Sequence, residues 1–112
     1  MSESPTHSRE IEDLLQTLWV KNLPILNERL TLIRTAQEKL DAGSLDAQSR
    51  KDGEEAAHKL AGILGTFGLP QGSVLASKIE VMLSGESSLY SQHANELSAW
   101  IRELEAVIAS RP

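Results

Sequence analysis

Apolar residues along this chain recur at intervals of three and four rather than two, so every patterned stretch reads as helix. Prolines at 5, 24, 70 and 112 leave long stretches uninterrupted. Ile11, Leu14, Leu15, Leu18 and Trp19 form the first stripe, with Ser8 as N-cap and Glu10, Glu12 and Asp13 in the first turns, where the helix dipole favours carboxylates. Pro24 interrupts it. Either a short helix ends near Asn22 or one long helix kinks there, because proline fits the first turn of a helix and not its interior. The stripe resumes with Leu26, Leu30, Ile33, Ala36 or Gln37, and Leu40, and Gly43 is its natural stop.

Ser44 or Asp46 then caps a segment running from about Leu45 to Phe67, with Ala57, Leu60, Leu64 and Phe67 at helical spacing. Gly53 weakens its first half, since glycine in a helix interior costs about 1 kcal/mol relative to alanine. Gly68-Leu69-Pro70 ends it. Val74, Leu75, Ile79, Met82 and Leu83 follow, closed by Gly85. Ser87 or Ser88 caps the last helix, whose apolar positions are Tyr90, Ala94, Leu97, Ile101, Leu104 and Ile108. Amphipathic helices joined by short turns are best buried as an all-α, antiparallel up-and-down four-helix bundle. Residues 8–22 would be an additional N-terminal helix or kinked extension. The expected organisation is a flexible N-terminus over 1–7 and one bundle domain over 8–112.

Composition narrows the chemistry. The 112 residues include no cysteine, which removes thiol catalysis, Cys-ligated zinc and disulfides. Lys and Arg number 11 against 16 Asp and Glu, for a formal charge of −5, and neither half of the chain holds a basic stripe. Nucleic-acid binding and a membrane-surface helix both need one. The polar start Met1-Ser2-Glu3-Ser4-Pro5 lacks the features of a signal peptide, and no apolar run approaches a membrane span, so a cytoplasmic location is expected.

One histidine is out of place. On a wheel of about 100° per residue with His58 at zero, Phe67, Leu60 and Leu64 fall near 180°, 200° and 240°, flanked by Ala56 and Ile63. His58 therefore lies opposite the core. Its neighbours there are small: Gly62 near 40°, Gly65 near 340° and Ala61 near 300°, each to within about 20°. Two glycines in an otherwise good helix cost about 2 kcal/mol together. Either they bare the backbone so that another macromolecule can close over His58, or they let a neighbouring helix pack closely. Spacing alone does not separate the two.

The string Ala57-His58-Lys59-Leu60-Ala61-Gly62-Ile63-Leu64-Gly65-Thr66-Phe67-Gly68-Leu69, continuing to Leu75-Ala76-Ser77-Lys78-Ile79-Glu80, closely resembles the active helix pair of histidine phosphotransfer (HPt) domains. The resemblance is most specific over residues 56–83 and looser elsewhere. It implies a four-helix bundle in which His58 accepts a phosphoryl group from a receiver-domain aspartyl phosphate or a kinase and passes it to another receiver aspartate. It implies that Glu80, at the offset where several members carry Glu or Gln, orients the imidazole. Lys59 would supply charge, whereas the lysine that many members carry three residues after the histidine is here Ala61. Ala61, Gly62 and Gly65 would form the docking ridge, with Lys51 and Lys78 as further docking candidates. A receiver of a response regulator or hybrid kinase is the implied partner. The protein itself needs no cofactor, Mg²⁺ being held by the receiver, and would act as a monomeric carrier without turnover of its own.

Other readings are weaker. Glu55-x-x-His58 has the spacing of a metal-ligating pair, but no second pair occurs to complete a di-metal bundle site. His7 and His93 have no partners at ligand spacing, and Trp19 and Trp100 read as core anchors. The competing function is an HPt-like bundle that binds a receiver or kinase as a regulatory module and carries no phosphate.

Overall fold

The structure, a computed structural model, describes residues 5–85 and 88–112. Four helices account for nearly all of them: α1 (Pro5–Asp41), α2 (Ala47–Thr66), α3 (Pro70–Ser84) and α4 (Ser91–Ser110). Each packs antiparallel to its chain neighbour, and α4 closes the ring against α1. The result is the expected up-and-down bundle.

Turn chemistry fixes the connections. Gly43 (φ 72°) and Gly68 (φ 71°) adopt the left-handed conformation that a side chain disfavours. Each ends a helix by letting the next amide return to a carbonyl of the last turn: Ser44 to Lys39 at 2.8 Å and Leu69 to Leu64 at 2.8 Å. Asp46, rather than Ser44, caps α2, accepting the Ser49 amide at 3.0 Å. That amide, with the Lys39 ammonium 3.0 Å from the other carboxylate oxygen, holds the Asp46 carboxyl well below the usual carboxylate range. Pro70 opens α3 at the position where its missing N–H costs nothing.

The last helix starts later than its sequence suggests. Tyr90 stands at the N-cap, exposed rather than in the core, and its amide donates to Nδ1 of His93 at 2.9 Å. Of the two serines expected to cap it, Ser88 precedes that position and Ser87 lies outside the described residues.

The first 37 residues of helix form one element, α1, unbroken through Pro24. Pro24 removes one intrahelical bond, but it sits on the exposed side, where water can satisfy the freed carbonyl. No separate helix ends near Asn22, and Ser8 falls inside α1 rather than capping it. A helix of that length spans about 55 Å, against about 30 Å for α2 or α4, so the molecule measures 57 × 24 × 20 Å. Gln16 donates to the carbonyl of Pro112 at 2.6 Å, which marks where α1 leaves the bundle.

The core consists of aligned stripes: Trp19, Leu26, Leu30, Ile33 and Leu40 from α1, Leu60 and Leu64 from α2, Ile79 and Leu83 from α3, and Leu97, Leu104 and Ile108 from α4. Of the first predicted stripe only Trp19 is buried; Ile11 and Leu14 stay 46% and 60% exposed because they lie beyond the bundle's end. Trp19 meets Phe67 edge to face, ring centroids 5.2 Å apart, and the Arg111 guanidinium lies over both rings.

Candidate functional site

His58 occupies the middle of the outward ridge of α2, and its position follows from the burial of Ala56, Ala57, Leu60 and Leu64 around it. Those residues turn the helix so that position 58 faces solvent. The imidazole is 72% exposed, and its Nδ1 lies 2.9 Å from Oε2 of Glu80, whose side chain is only 29% exposed. Glu80 belongs to α3, which is locked against α2 by the burial of Leu75, Ala76, Ile79 and Leu83. The pairing therefore joins two helices. A carboxylate at Nδ1 holds the proton on that nitrogen and leaves the Nε2 lone pair free.

The glycines beside His58 do not serve helix packing. A Cβ added at Gly62 would meet nothing within 4 Å, and one at Gly65 only the Ser73 hydroxyl at 3.7 Å. The close approaches belong to two other glycines. At Gly53 a Cβ would stand 3.0 Å from Leu83 Cδ1 and 3.1 Å from Ala36 Cβ; at Gly72, 3.1 Å from both Leu64 Cδ1 and Val107 Cγ1. Gly53 is thus not a weak point of α2 but the place where α1 and α3 press against it, and Gly72 went unremarked in the sequence. The ridge at Gly62 and Gly65 is bare backbone facing outward.

Among the remaining expected residues, Lys59 is exposed and lines a concavity between α1 and α2 together with His58 and Gly62. Ala61 is half-buried on the α3 flank, its carbonyl accepting the Ser73 hydroxyl at 2.8 Å. Lys51 is exposed two turns before His58. Lys78 does not join the group: it lines an apolar groove between α3 and α4 with Val81 and Trp100. His93 lines that groove as well, and the Tyr90 amide occupies its Nδ1. The sequence reading missed Leu18, Asn22 and Arg29, which α1 brings to the concavity beside His58. Nothing in the local sequence of α2 signals them. Among the described residues no group of three or more His, Asp and Glu could hold a metal ion, and no helix is long and apolar enough to cross a membrane.

The site is thus one exposed histidine on a bare ridge of a four-helix bundle, tied through Nδ1 to a carboxylate of the adjacent helix. The Hpt domain family matches residues 2–109, and the chain belongs to that family. Hpt domains as a family serve histidine phosphotransfer in phosphorelays. The chain is also similar to Protein RcaC of Microchaete diplosiphon, with 28% identity over 91 residues, covering 81% of this chain and 14% of that protein. It thus spans about a seventh of that relative's length. No solved structure matches.

Proposed function

We propose that this domain carries a phosphoryl group on Nε2 of His58, taking it from one receiver-domain aspartyl phosphate and delivering it to another. The observation that carries this reading is the exposed His58 ring with Nδ1 fixed by Glu80 at 2.9 Å. With the proton held on Nδ1, the Nε2 lone pair attacks phosphorus in line. The N–P bond forms as the P–O bond to the receiver aspartate breaks, and the electron pair leaves with the aspartate carboxylate. No proton has to move. The ring, now substituted at both nitrogens, is cationic, and the Glu80 carboxylate compensates that charge. Delivery reverses each step.

The loose transition state of phosphoryl transfer needs positioning and charge neutralisation more than covalent help. The receiver, with its aspartate and Mg²⁺, supplies most of both, which is why a domain with a ridge instead of a pocket suffices. The backbone at Gly62 and Gly65 allows the receiver's acceptor face to approach the ring, and Lys59 adds positive charge beside it. Lys51 on the same face could add to docking.

Incubation with a phosphorylated receiver tests the reading. Acid-labile label should appear on the wild-type chain and be absent from His58→Gln. Label persisting in His58→Gln would place the acceptor elsewhere. A wild-type chain that binds the receiver but never takes label would make it a purely regulatory module.

A further inference from the structure

The two ring nitrogens of His58 point in widely divergent directions, so fixing Nδ1 toward Glu80 on α3 turns Nε2 away from α3. On the α3 flank lie Ala61, Gly65 and Ser73, and the cation that α3 carries, Lys78, lines the groove toward α4 rather than the concavity beside His58. Charge to meet a phosphoryl group on Nε2 has to come from the other side. That side is α1.

The register of the α1–α2 pair is set at two points: Trp19 against Phe67, and Ala36 against the backbone at Gly53. Interpolating between them puts Arg29 level with His58 and Lys59. Arg29 lines the same concavity as His58, Lys59 and Gly62. It is half-buried, and an arginine so placed can rest its apolar stem on the protein while its charged head stays at the groove surface. Two other cations of α1 are committed, Arg34 to Glu105 at 3.0 Å and Lys39 to Asp46 at 3.0 Å, whereas Arg29 makes no ion pair among the described residues. Carboxylates do stand near it: Glu28 on its own helix and Asp52 and Glu55 on α2 line the adjoining stretch of groove with Arg29 and Lys59. None is within ion-pair distance of it.

Resting on the carrier reading above, we propose that Arg29 is the phosphoryl-binding cation of this domain. When His58 carries the phosphoryl group, the guanidinium of Arg29 donates hydrogen bonds to its oxygens from the α1 side, with Lys59 as a second, more hydrated charge. The planar fork of arginine matches two phosphoryl oxygens at once, which a lysine cannot do. The bare backbone at Gly62 leaves space for those oxygens between the two helices.

The test needs no receiver. Phosphoramidate phosphorylates histidine directly, and the phospho-His58 resonance is identified in ³¹P spectra by its loss in His58→Gln. Its pH titration reports the second ionisation of the phosphoryl group, which depends on the charges around it: Arg29, Lys59, Glu28, Asp52, Glu55 and Glu80. Removing a cation in direct contact should raise that midpoint by about one unit. Arg29→Gln is expected to show this rise, Arg29→Lys a smaller one, and Lys78→Gln none. A midpoint unchanged in Arg29→Gln, with phospho-His58 formed and the fold intact by circular dichroism, overturns the assignment and leaves the carrier reading standing. An equal rise in Lys78→Gln overturns it too, since the effect would then be one of net charge. Failure of the wild type to form phospho-His58 overturns the carrier reading, and the assignment with it.

Discussion

In the proposed reaction, Glu80 decides which nitrogen of His58 reacts. An exposed histidine samples both tautomers and several ring rotations, and only one combination presents a lone pair outward with the proton inside. On the proposed reading, the 2.9 Å contact to a carboxylate that is itself mostly buried selects that combination before any partner arrives. Glu80→Ala should therefore slow phosphoryl acceptance by about tenfold or more in single-turnover assays, in line with the cost of losing a partner that orients a reactive imidazole. Glu80→Gln, which keeps an acceptor oxygen at the same reach, should retain most of the rate. Equal rates in wild type and Glu80→Ala would show that the receiver orients the ring by itself. His58 and Glu80 were legible in the sequence because the first lies opposite an apolar stripe and the second stands at the offset the family resemblance supplies. Arg29 was not legible. It comes from another helix, and the register between two helices is set by packing at Trp19 and Gly53, which no local pattern displays.

At the scale of the helix, α2 uses glycine for two opposite purposes. Gly62 is open to solvent, so a side chain there adds helix propensity and meets nothing: Gly62→Ala should stabilise the fold by about 0.5–1 kcal/mol in urea unfolding. Gly62→Gln should fold as well yet block transfer from a receiver, because its side chain stands beside His58 on the ridge. Gly53 is enclosed by Leu83 and Ala36, and Ala36 has no flexible end that could move aside. Gly53→Leu should thus cost about 1–3 kcal/mol or more through overpacking. A Gly53 variant as stable as wild type would mean that α1 and α3 can separate freely from α2. A helix wheel assigns each glycine the same propensity cost and tells nothing about its neighbours. That is why the sequence left open whether Gly62 and Gly65 serve helix packing and read Gly53 as a weakness. Helix stops at Gly43 and Gly68 were readable for the converse reason, since the left-handed conformation is a local property. Pro24 left a break near Asn22 and one long helix both open, and the structure takes the long helix, because whether a helix survives an internal proline depends on which side faces water.

The whole molecule is a short bundle with one overlong helix. About 20 residues suffice for α2 and α4, and the bundle is closed at one end by Gln16 on Pro112 and by Arg111 over Trp19 and Phe67. The turns of α1 before that closure bury little: Ile11 and Leu14 remain largely exposed, and a helix without a packed face is only marginally stable in water. Stability should therefore be divided sharply at the closure. Deleting residues 1–12 should lower the melting temperature by less than about 4 °C, corresponding to under about 1 kcal/mol for a domain of this size. Label transfer from a phosphorylated receiver should stay within about twofold, since His58, Glu80 and Arg29 all lie inside the closed part. Trp19→Ala, seven residues further along the same helix, should cost about 3–5 kcal/mol, because it empties a site that is 1% exposed and strips Phe67 and Arg111 of their partner. Thermal melts of the three chains followed by circular dichroism compare these losses directly. A large loss on deletion would mean that the first turns of α1 are covered in solution, with a second copy laid along Ile11 and Leu14 as the readiest source. A melting temperature that rises with protein concentration would then identify it.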